Sequence, residues 1–95
     1  MKIKIQYFAI IRELVGQREE VIDLEKKTNV LDLLKLLATK HGEKFMQYIF
    51  DPATGNPRLY LQFLINQESI SSLSGFSTIL PENSTFAIIP PVGGG

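Results

Sequence analysis

The spacing of hydrophobic and polar residues changes several times along this 95-residue chain. Residues 2–8 alternate polar and apolar side chains with the period of two that is typical of a strand with one buried face. Residues 9–15 suit one or two turns of helix, and Gly16 stands where a left-handed residue would end that helix. Residues 18–24 place apolar side chains among charges, so they are predicted to return as the second strand of an antiparallel hairpin.

The main helix is predicted to begin after Thr28 or Asn29, both of which can cap a helix N-terminus. We favour Asn29, because Asp32 follows three residues later in an arrangement that resembles a capping box. Leu36 falls outside the apolar stripe of this helix and needs a second cover, which we assign to a short amphipathic helix over residues 43–50. The apolar stripe itself consists of Val30, Leu33, Leu34, Leu37, Ala38 and His41.

The second half of the chain is predicted to return to strands. Residues 51–57 contain two prolines and a glycine, which indicates a surface loop. Residues 59–65 then alternate as a strand that turns at Asn66-Gln67, with a short edge piece around Ser69-Ile70. Residues 85–89 form the last predicted strand.

This order of elements predicts an α+β fold of the β-grasp, or ubiquitin-like, type. A right-handed crossover through the main helix places the later strands beside the first one, in a mixed sheet of four to five strands. A chain of this length suffices for one domain with a modest core. We therefore predict a β-grasp domain over residues 1–90 and a flexible C-terminal glycine tail over residues 91–95.

The tail is the segment that most suggests a function. Pro90 and Pro91 lack a backbone N–H and hold φ near −65°, so they end the last strand and direct the chain outward. Glycines have no Cβ and are narrow enough to thread the cleft of a partner. At roughly 3.3 Å per extended residue, five residues would carry the final carboxylate about 16 Å from the domain. The residues after the prolines are Val92, Gly93, Gly94 and Gly95.

Composition and charge argue against several other classes of function. Ten basic and ten acidic residues give a net charge of zero, with no basic run to attract nucleic acid or anionic lipid. No cysteine is present, which excludes a thiolate nucleophile, and His41, the single histidine, is expected to be a helix-end residue rather than a metal ligand. The N-terminus lacks the apolar core of a signal peptide and no apolar run could span a membrane, so we expect a cytoplasmic protein. No catalytic triad or carboxylate pair can be assembled around one histidine and scattered acids, so we also expect that the chain performs no catalysis alone.

Three stretches of the sequence resemble the small subunits of molybdopterin synthase, which are ubiquitin-like sulfur carriers. Two departures are visible: the chain ends in three glycines where the family usually has two after another residue, and residues 43–59 are longer than in compact members. The longer segment resembles that of archaeal small modifier proteins of the same lineage. The three similar stretches are Phe8-Ala9 with Arg12-Glu13-Leu14-Val15-Gly16, then Ile65-Asn66-Gln67, and then Ile89-Pro90-Pro91-Val92 before the terminal glycines.

The resemblance implies a reaction at Gly95. An enzyme of the ubiquitin-activating type would use ATP to adenylate this carboxylate, and sulfide from a sulfurtransferase would then displace AMP to leave a thiocarboxylate. The large subunit of molybdopterin synthase would receive the tail and transfer the sulfur to a pterin precursor for a molybdenum or tungsten cofactor. The carrier itself would bind no cofactor, because ATP is used by the activating partner.

Partner contacts are expected along the tail and on the sheet face that the main helix leaves open. An exposed apolar cluster on that face would mark the interface, although large apolar residues are more often buried. The predicted contact residues are Phe8, Phe63, Ile89, Pro90, Pro91, Val92, Gly93 and Gly94.

Two alternatives share the same tail. The chain could be a ubiquitin-like modifier joined through Gly95 to lysines of other proteins, or a sulfur carrier for another pathway such as thiamine synthesis or tRNA thiolation. It could also be a plain β-grasp interaction domain whose frayed tail has no role. Deletion of Gly94 and Gly95 separates the last hypothesis from the others, because only an idle tail would leave function intact.

Overall fold

A five-stranded mixed sheet forms the frame of the protein in a computed structural model, which describes residues 1–91. The strand order is β2-β1-β5-β3-β4, in which β1 and β5 run parallel and every other neighbouring pair runs antiparallel. This is the β-grasp architecture that the sequence predicts. The elements in chain order are β1 (Lys2–Tyr7), α1 (Ala9–Val15), β2 (Glu19–Asp23), α2 (Val30–His41), α3 (Glu43–Ile49), β3 (Gln62–Ile65), β4 (Glu68–Ser69), two 3₁₀ turns (Ile70–Ser72 and Gly75–Ser77) and β5 (Thr85–Ile89).

The core lies between one face of the sheet and α2. Alternation along β1 turns Ile3, Ile5 and Tyr7 inward, where they join the apolar stripe of α2 in one buried cluster. The predicted alternation of the first strand and the predicted stripe of the main helix are thus confirmed. Among residues 1–91, the buried side chains of the three α-helices belong to this cluster, so the opposite face of the sheet is the open one.

Two predicted helix ends are also confirmed. Asn29 caps α2 with a side-chain oxygen that accepts a hydrogen bond from the Asp32 amide at 2.8 Å. Gly16 ends α1 in the left-handed region at φ 85°, and its N–H donates to the Arg12 carbonyl at 2.8 Å. Both contacts are local, which is why the sequence is sufficient to predict them.

The third strand is shorter than predicted. It begins at Gln62 rather than at residue 59, and the Leu59 side chain is 92% exposed. The cause lies in the preceding segment, where the Arg58 amide donates to the Ile49 carbonyl and Phe50 forms a bridge with Pro57. These bonds tie the chain to the end of α3, so it must turn before it can join the sheet.

The prediction that α3 covers Leu36 is wrong, because Leu36 remains 39% exposed. Instead α3 directs Phe45 and Ile49 into the main core, beside α2. The short helix therefore enlarges one core rather than forming a second layer over the outer side of α2.

Candidate functional site

The open face of the sheet presents a row of side chains from its two central strands. Tyr7 of β1 pairs with Ile88 of β5, and both of these side chains are buried on the α2 side. Because side chains alternate along a strand, the next residues, Phe8 and Ile89, lie beside each other on the open face. Both are partly buried, and the structure thus brings together two of the predicted contact residues at one end of the sheet.

A concavity of about 450 Å³ runs along this face from Phe8 and Ile89 toward the turn after β3. At that turn Asn66 and Gln67 both adopt positive φ, as two-residue hairpin turns require. The Asn66 side-chain oxygen accepts from the Thr85 amide at 2.9 Å, and the Asn66 amide donates to the Thr85 carbonyl at 2.8 Å. The Asn-Gln turn is therefore bonded to the strand that leads to the tail. The residues that line the concavity are Gln6, Phe8, Leu64, Asn66, Gln67, Thr85, Ala87 and Ile89.

The tail follows β5, a strand that is hydrogen-bonded to a neighbour on each side. Ile89 ends β5 and pairs with Gln62 of β3, while Pro90 is buried and Pro91 is exposed. Pro90 and Pro91 therefore leave the sheet at the same end as Phe8 and Ile89. The remaining predicted site residues, Val92, Gly93, Gly94 and Gly95, lie outside the residues that the structure describes.

Phe63 does not lie on the open face, so its predicted place in an exposed apolar cluster on that face is wrong. Its side chain is only 3% exposed, stacks on Phe86 with ring centroids 6.0 Å apart, and contacts Phe76 edge to face. The register pairs Phe63 with inward-facing Ile88, and Leu64 is the outward residue of β3. The alternation of β3 in the sequence indicates this inward orientation, because Phe63 shares its parity with buried Ile65.

The structure also shows a cluster of ionisable groups that the sequence analysis missed. Glu20 of β2 faces the core side, where its carboxylate accepts from the Tyr7 hydroxyl at 2.5 Å and from Lys40 Nζ at 2.7 Å. The same carboxylate contacts Nε2 of His41, whose ring lies near those of Tyr7 and Phe45. The expected helix-end position of His41 is confirmed, but its acidic partner lies on a strand far away in the sequence.

Burial and charge act in opposite directions on the pKa of Glu20. Burial alone would raise this pKa, but hydrogen bonds from Lys40, Tyr7 and His41 outweigh burial and hold it below its usual range. Burial, the hydrogen bond to Glu20 and the negative charge of Glu20 all raise the pKa of the Tyr7 phenol. The cluster therefore contains an ionised carboxylate and a neutral phenol at neutral pH, and it joins β1, β2 and α2 at one end of the core.

The described part of the chain offers no other chemical centre. Among residues 1–91, no three His, Cys, Asp or Glu side chains are grouped so that they could hold a metal ion. No helix in that range has both the length and the apolar character to cross a bilayer. The described residues thus present a concavity on the open sheet face beside Pro90 and Pro91, and among them no catalytic constellation is seen.

Comparisons with known proteins agree with this description. The chain is 27% identical to small archaeal modifier protein 3 of Haloferax volcanii over 95 residues, which is the full length of both proteins. It is 30% identical over 95 residues to a molybdopterin synthase sulfur carrier subunit of Chlamydomonas reinhardtii, again over the full length of both. The solution structure of small archaeal modifier protein 1 from Methanosarcina acetivorans superposes with a TM-score of 0.82 at 30% identity, covering 99% of this chain and 96% of that one. The ThiS family model matches residues 5–95, and the chain therefore belongs to the ThiS family of ubiquitin-like sulfur carriers.

Proposed function

We propose that the protein is the sulfur-carrying small subunit of molybdopterin synthase, with Gly95 as the residue that carries the sulfur. The observation that most supports this is the position of Phe8 and Ile89 beside the Pro90-Pro91 exit. A partner that accepts the tail can bind the open sheet face at the same time. The similarity to the sulfur carrier subunit of Chlamydomonas reinhardtii supports the pathway.

The chemistry starts from a poor acyl donor, because a carboxylate is negatively charged and its oxygen is a poor leaving group. An adenylyltransferase of the ubiquitin-activating type would join the Gly95 carboxylate to the α-phosphate of ATP and release pyrophosphate. Sulfide from a sulfurtransferase would then form a C–S bond as the C–O bond to AMP breaks, leaving a glycyl thiocarboxylate. Since the chain has no cysteine, it contains no internal thiol that could capture the activated acyl group.

The large subunit of molybdopterin synthase would then accept the charged tail. The thiocarboxylate sulfur would bond to a carbon of the pterin precursor as a carbon–oxygen bond there breaks. Water would then cleave the acyl C–S bond of the resulting thioester, which leaves the sulfur on the pterin and regenerates the Gly95 carboxylate for another cycle. In this scheme the carrier holds no cofactor and ATP is bound only by the activating partner. We propose the cytoplasm as the site of these reactions.

The test is an intact-mass measurement after incubation with the cognate activating enzyme, ATP and a sulfur donor. We expect one oxygen to be replaced by sulfur, and fragmentation should place the change at Gly95. A variant without Gly94 and Gly95 is the matched control and should stay unchanged, as should the full chain without ATP. An unchanged mass of the full chain under complete conditions would contradict the proposal.

A ubiquitin-like modifier is the second candidate, and it is favoured by the names of two relatives. The proteins from Haloferax volcanii and Methanosarcina acetivorans are both called small archaeal modifier proteins, and this chain aligns with nearly all of each. Conjugation would start from the same adenylate, with a lysine amine in place of sulfide. Proteomics of the source cells should then find glycine remnants on lysine side chains, and their absence under several growth conditions would remove this candidate.

A further inference from the structure

A second concavity, which we call the helix groove, lies on the side of the protein away from the open sheet face. One wall is α2, the other wall is α3 with the loop that follows it, and the volume is about 430 Å³. At about 100° per residue, Thr39 stands opposite the middle of the buried stripe of α2, so the groove runs over the outer flank of that helix. The residues that line it include Lys35, Ala38, Thr39, Met46, Phe50 and Pro52.

Most of the groove lining is apolar, and its two charged side chains stand on opposite walls. Met46 and Phe50 of the α3 wall present carbon and sulfur surface. On the same wall, the Asp51 carboxylate already accepts a hydrogen bond from the Ala53 amide at 2.8 Å. On the α2 wall, no carboxylate among residues 1–91 lies within ion-pair distance of Lys35 Nζ. The groove therefore suits a ligand with an apolar body and one negative group.

The C-terminal segment of the chain has this chemistry. Pro91 and Val92 are apolar, the three glycines after them add no side chains, and the α-carboxylate of Gly95 is the only charge beyond Glu82. Proline-rich segments are already extended, so they bind in apolar and aromatic grooves at a low cost in conformational entropy. Charge and shape thus identify the class of ligand as an extended, apolar peptide that ends in a carboxylate.

We propose that the helix groove binds the C-terminal tail of a second copy of this chain, with Val92 on the apolar lining and the Gly95 carboxylate beside Lys35. The tail of the same copy is too short. α2 is about 10 Å across and separates the groove from the sheet that the tail leaves, whereas Val92 follows Pro91 directly, with its Cα only about 3.8 Å away. Each copy offers one groove and one tail, so the copies associate head to tail.

Binding in the groove would shield the carboxylate of an idle carrier. A bound carboxylate is available for adenylation only after the two copies separate, so this contact competes with activation and takes no part in its chemistry. The inference concerns the unmodified tail and goes beyond the proposed function, because it requires neither sulfur nor a conjugated lysine. Residues 43–59, which are longer than in compact family members, supply the α3 wall, so the groove depends on that departure.

NMR titration of the ¹⁵N-labelled full chain tests binding at the groove. The probe is a synthetic peptide of residues 89–95, acetylated at its N-terminus, and the matched control peptide is its C-terminal amide. We expect the carboxylate peptide to shift the amide signals of Thr39, Met46 and Gly55, and to bind about threefold or more tightly than the amide. Lys35→Gln should remove this difference. Lys44→Gln changes an exposed lysine of α3 outside the groove and should preserve it.

Two variants at position 46 test the apolar lining. The Met46 side chain is 43% exposed, so its replacement leaves the core intact. Met46→Glu places a negative charge beside the bound tail and should lower the affinity for the carboxylate peptide by about tenfold. Met46→Leu keeps an apolar side chain of similar volume and should bind within about twofold of the unmodified chain.

Sedimentation equilibrium of the full chain, at concentrations up to about 1 mM, tests whether the occupant belongs to a second copy. We expect the average mass to rise above that of one chain as concentration increases. Deletion of Gly94 and Gly95 leaves the carboxylate about 7 Å short of Lys35, so this variant should associate about threefold or more weakly.

Three results would overturn the inference: a mass that stays at one chain throughout, equal affinities of the two peptides, or signal shifts confined to the open sheet face. None of these measurements involves the activating enzyme, so their failure leaves the proposed function standing. A chain that binds the peptide in the groove but never gains sulfur would overturn the proposed function alone.

Discussion

Replacement of Glu20 by glutamine should destabilise the fold more than any other loss of a single charge among residues 1–91. Glu20 joins three elements, because its carboxylate accepts from Tyr7 of β1 and Lys40 of α2 and contacts His41 at the end of α2. Its side chain is only 7% exposed. Glu20→Gln keeps the shape of the side chain but removes the charge that organises these partners.

The size of the effect follows from the contacts. A hydrogen bond to a charged group contributes about 1.5–3 kcal/mol when shielded from water, and the bond from Tyr7 to Glu20 is of that kind. The Lys40 side chain is half exposed, so that pair adds no more than about 1 kcal/mol. The glutamine amide can retain some hydrogen bonding, and we therefore expect a loss of about 2–3 kcal/mol in the free energy of unfolding. For a domain of this size, this lowers Tm by roughly 10–20 °C.

Thermal unfolding followed by circular dichroism measures this change, with Glu19→Gln as the matched control. Glu19 precedes Glu20 on the same strand, but its side chain is half exposed and only approaches Lys4 at 3.9 Å. The control should therefore lose less than about 0.5 kcal/mol. Equal melting temperatures for the two variants would refute the assignment of the Glu20 cluster as a stabilising contact between β2 and α2.

The same cluster should give a defined pH dependence. Because the folded pKa of Glu20 lies below its unfolded value of about 4.3, its stabilising effect is complete above that value and is lost as pH falls through the folded pKa. The stability gap between the unmodified chain and Glu20→Gln should thus persist from about pH 7 to 5 and close at more acidic pH. A gap that closes between pH 7 and 5 would contradict this reasoning.

Three further predictions concern single side chains. Within residues 1–91 the buried Ser84 hydroxyl has no hydrogen-bond partner, so Ser84→Ala should be neutral or stabilising by up to about 1 kcal/mol in urea unfolding. Asn29→Ala should cost about 1 kcal/mol by the same method, and Asn29→Ser should recover most of it, because serine also caps a helix. Phe63→Ala should cost about 3–5 kcal/mol, whereas Leu59→Ala should change stability by less than about 0.5 kcal/mol since Leu59 packs against almost nothing. Equal costs at positions 59 and 63 would contradict the observed start of β3.

The fate of the predicted contact residues shows where pattern reasoning succeeds. Phe8 follows β1 directly and Ile89 is the last residue of β5, so each lies next to a buried residue, Tyr7 or Ile88, and takes the opposite face. Phe63 is predicted on the same face as a large apolar residue, although its own strand gives it the parity of the core. Residue type is therefore a weaker guide to a surface than position in the alternation.

The sequence by itself determined the features that depend on near neighbours. These are the alternation of β1, the Asn29 cap, the left-handed end of α1 at Gly16, the zero net charge and the absence of cysteine. Only the tertiary structure decided which distant residues meet. It paired Glu20 with His41, and it placed Gln6 and Leu64 on either side of Ala87 in the concavity of the open face. The physical reason is that strand register and helix placement are set by packing of the whole core, so contacts between separate elements are not encoded in any local pattern.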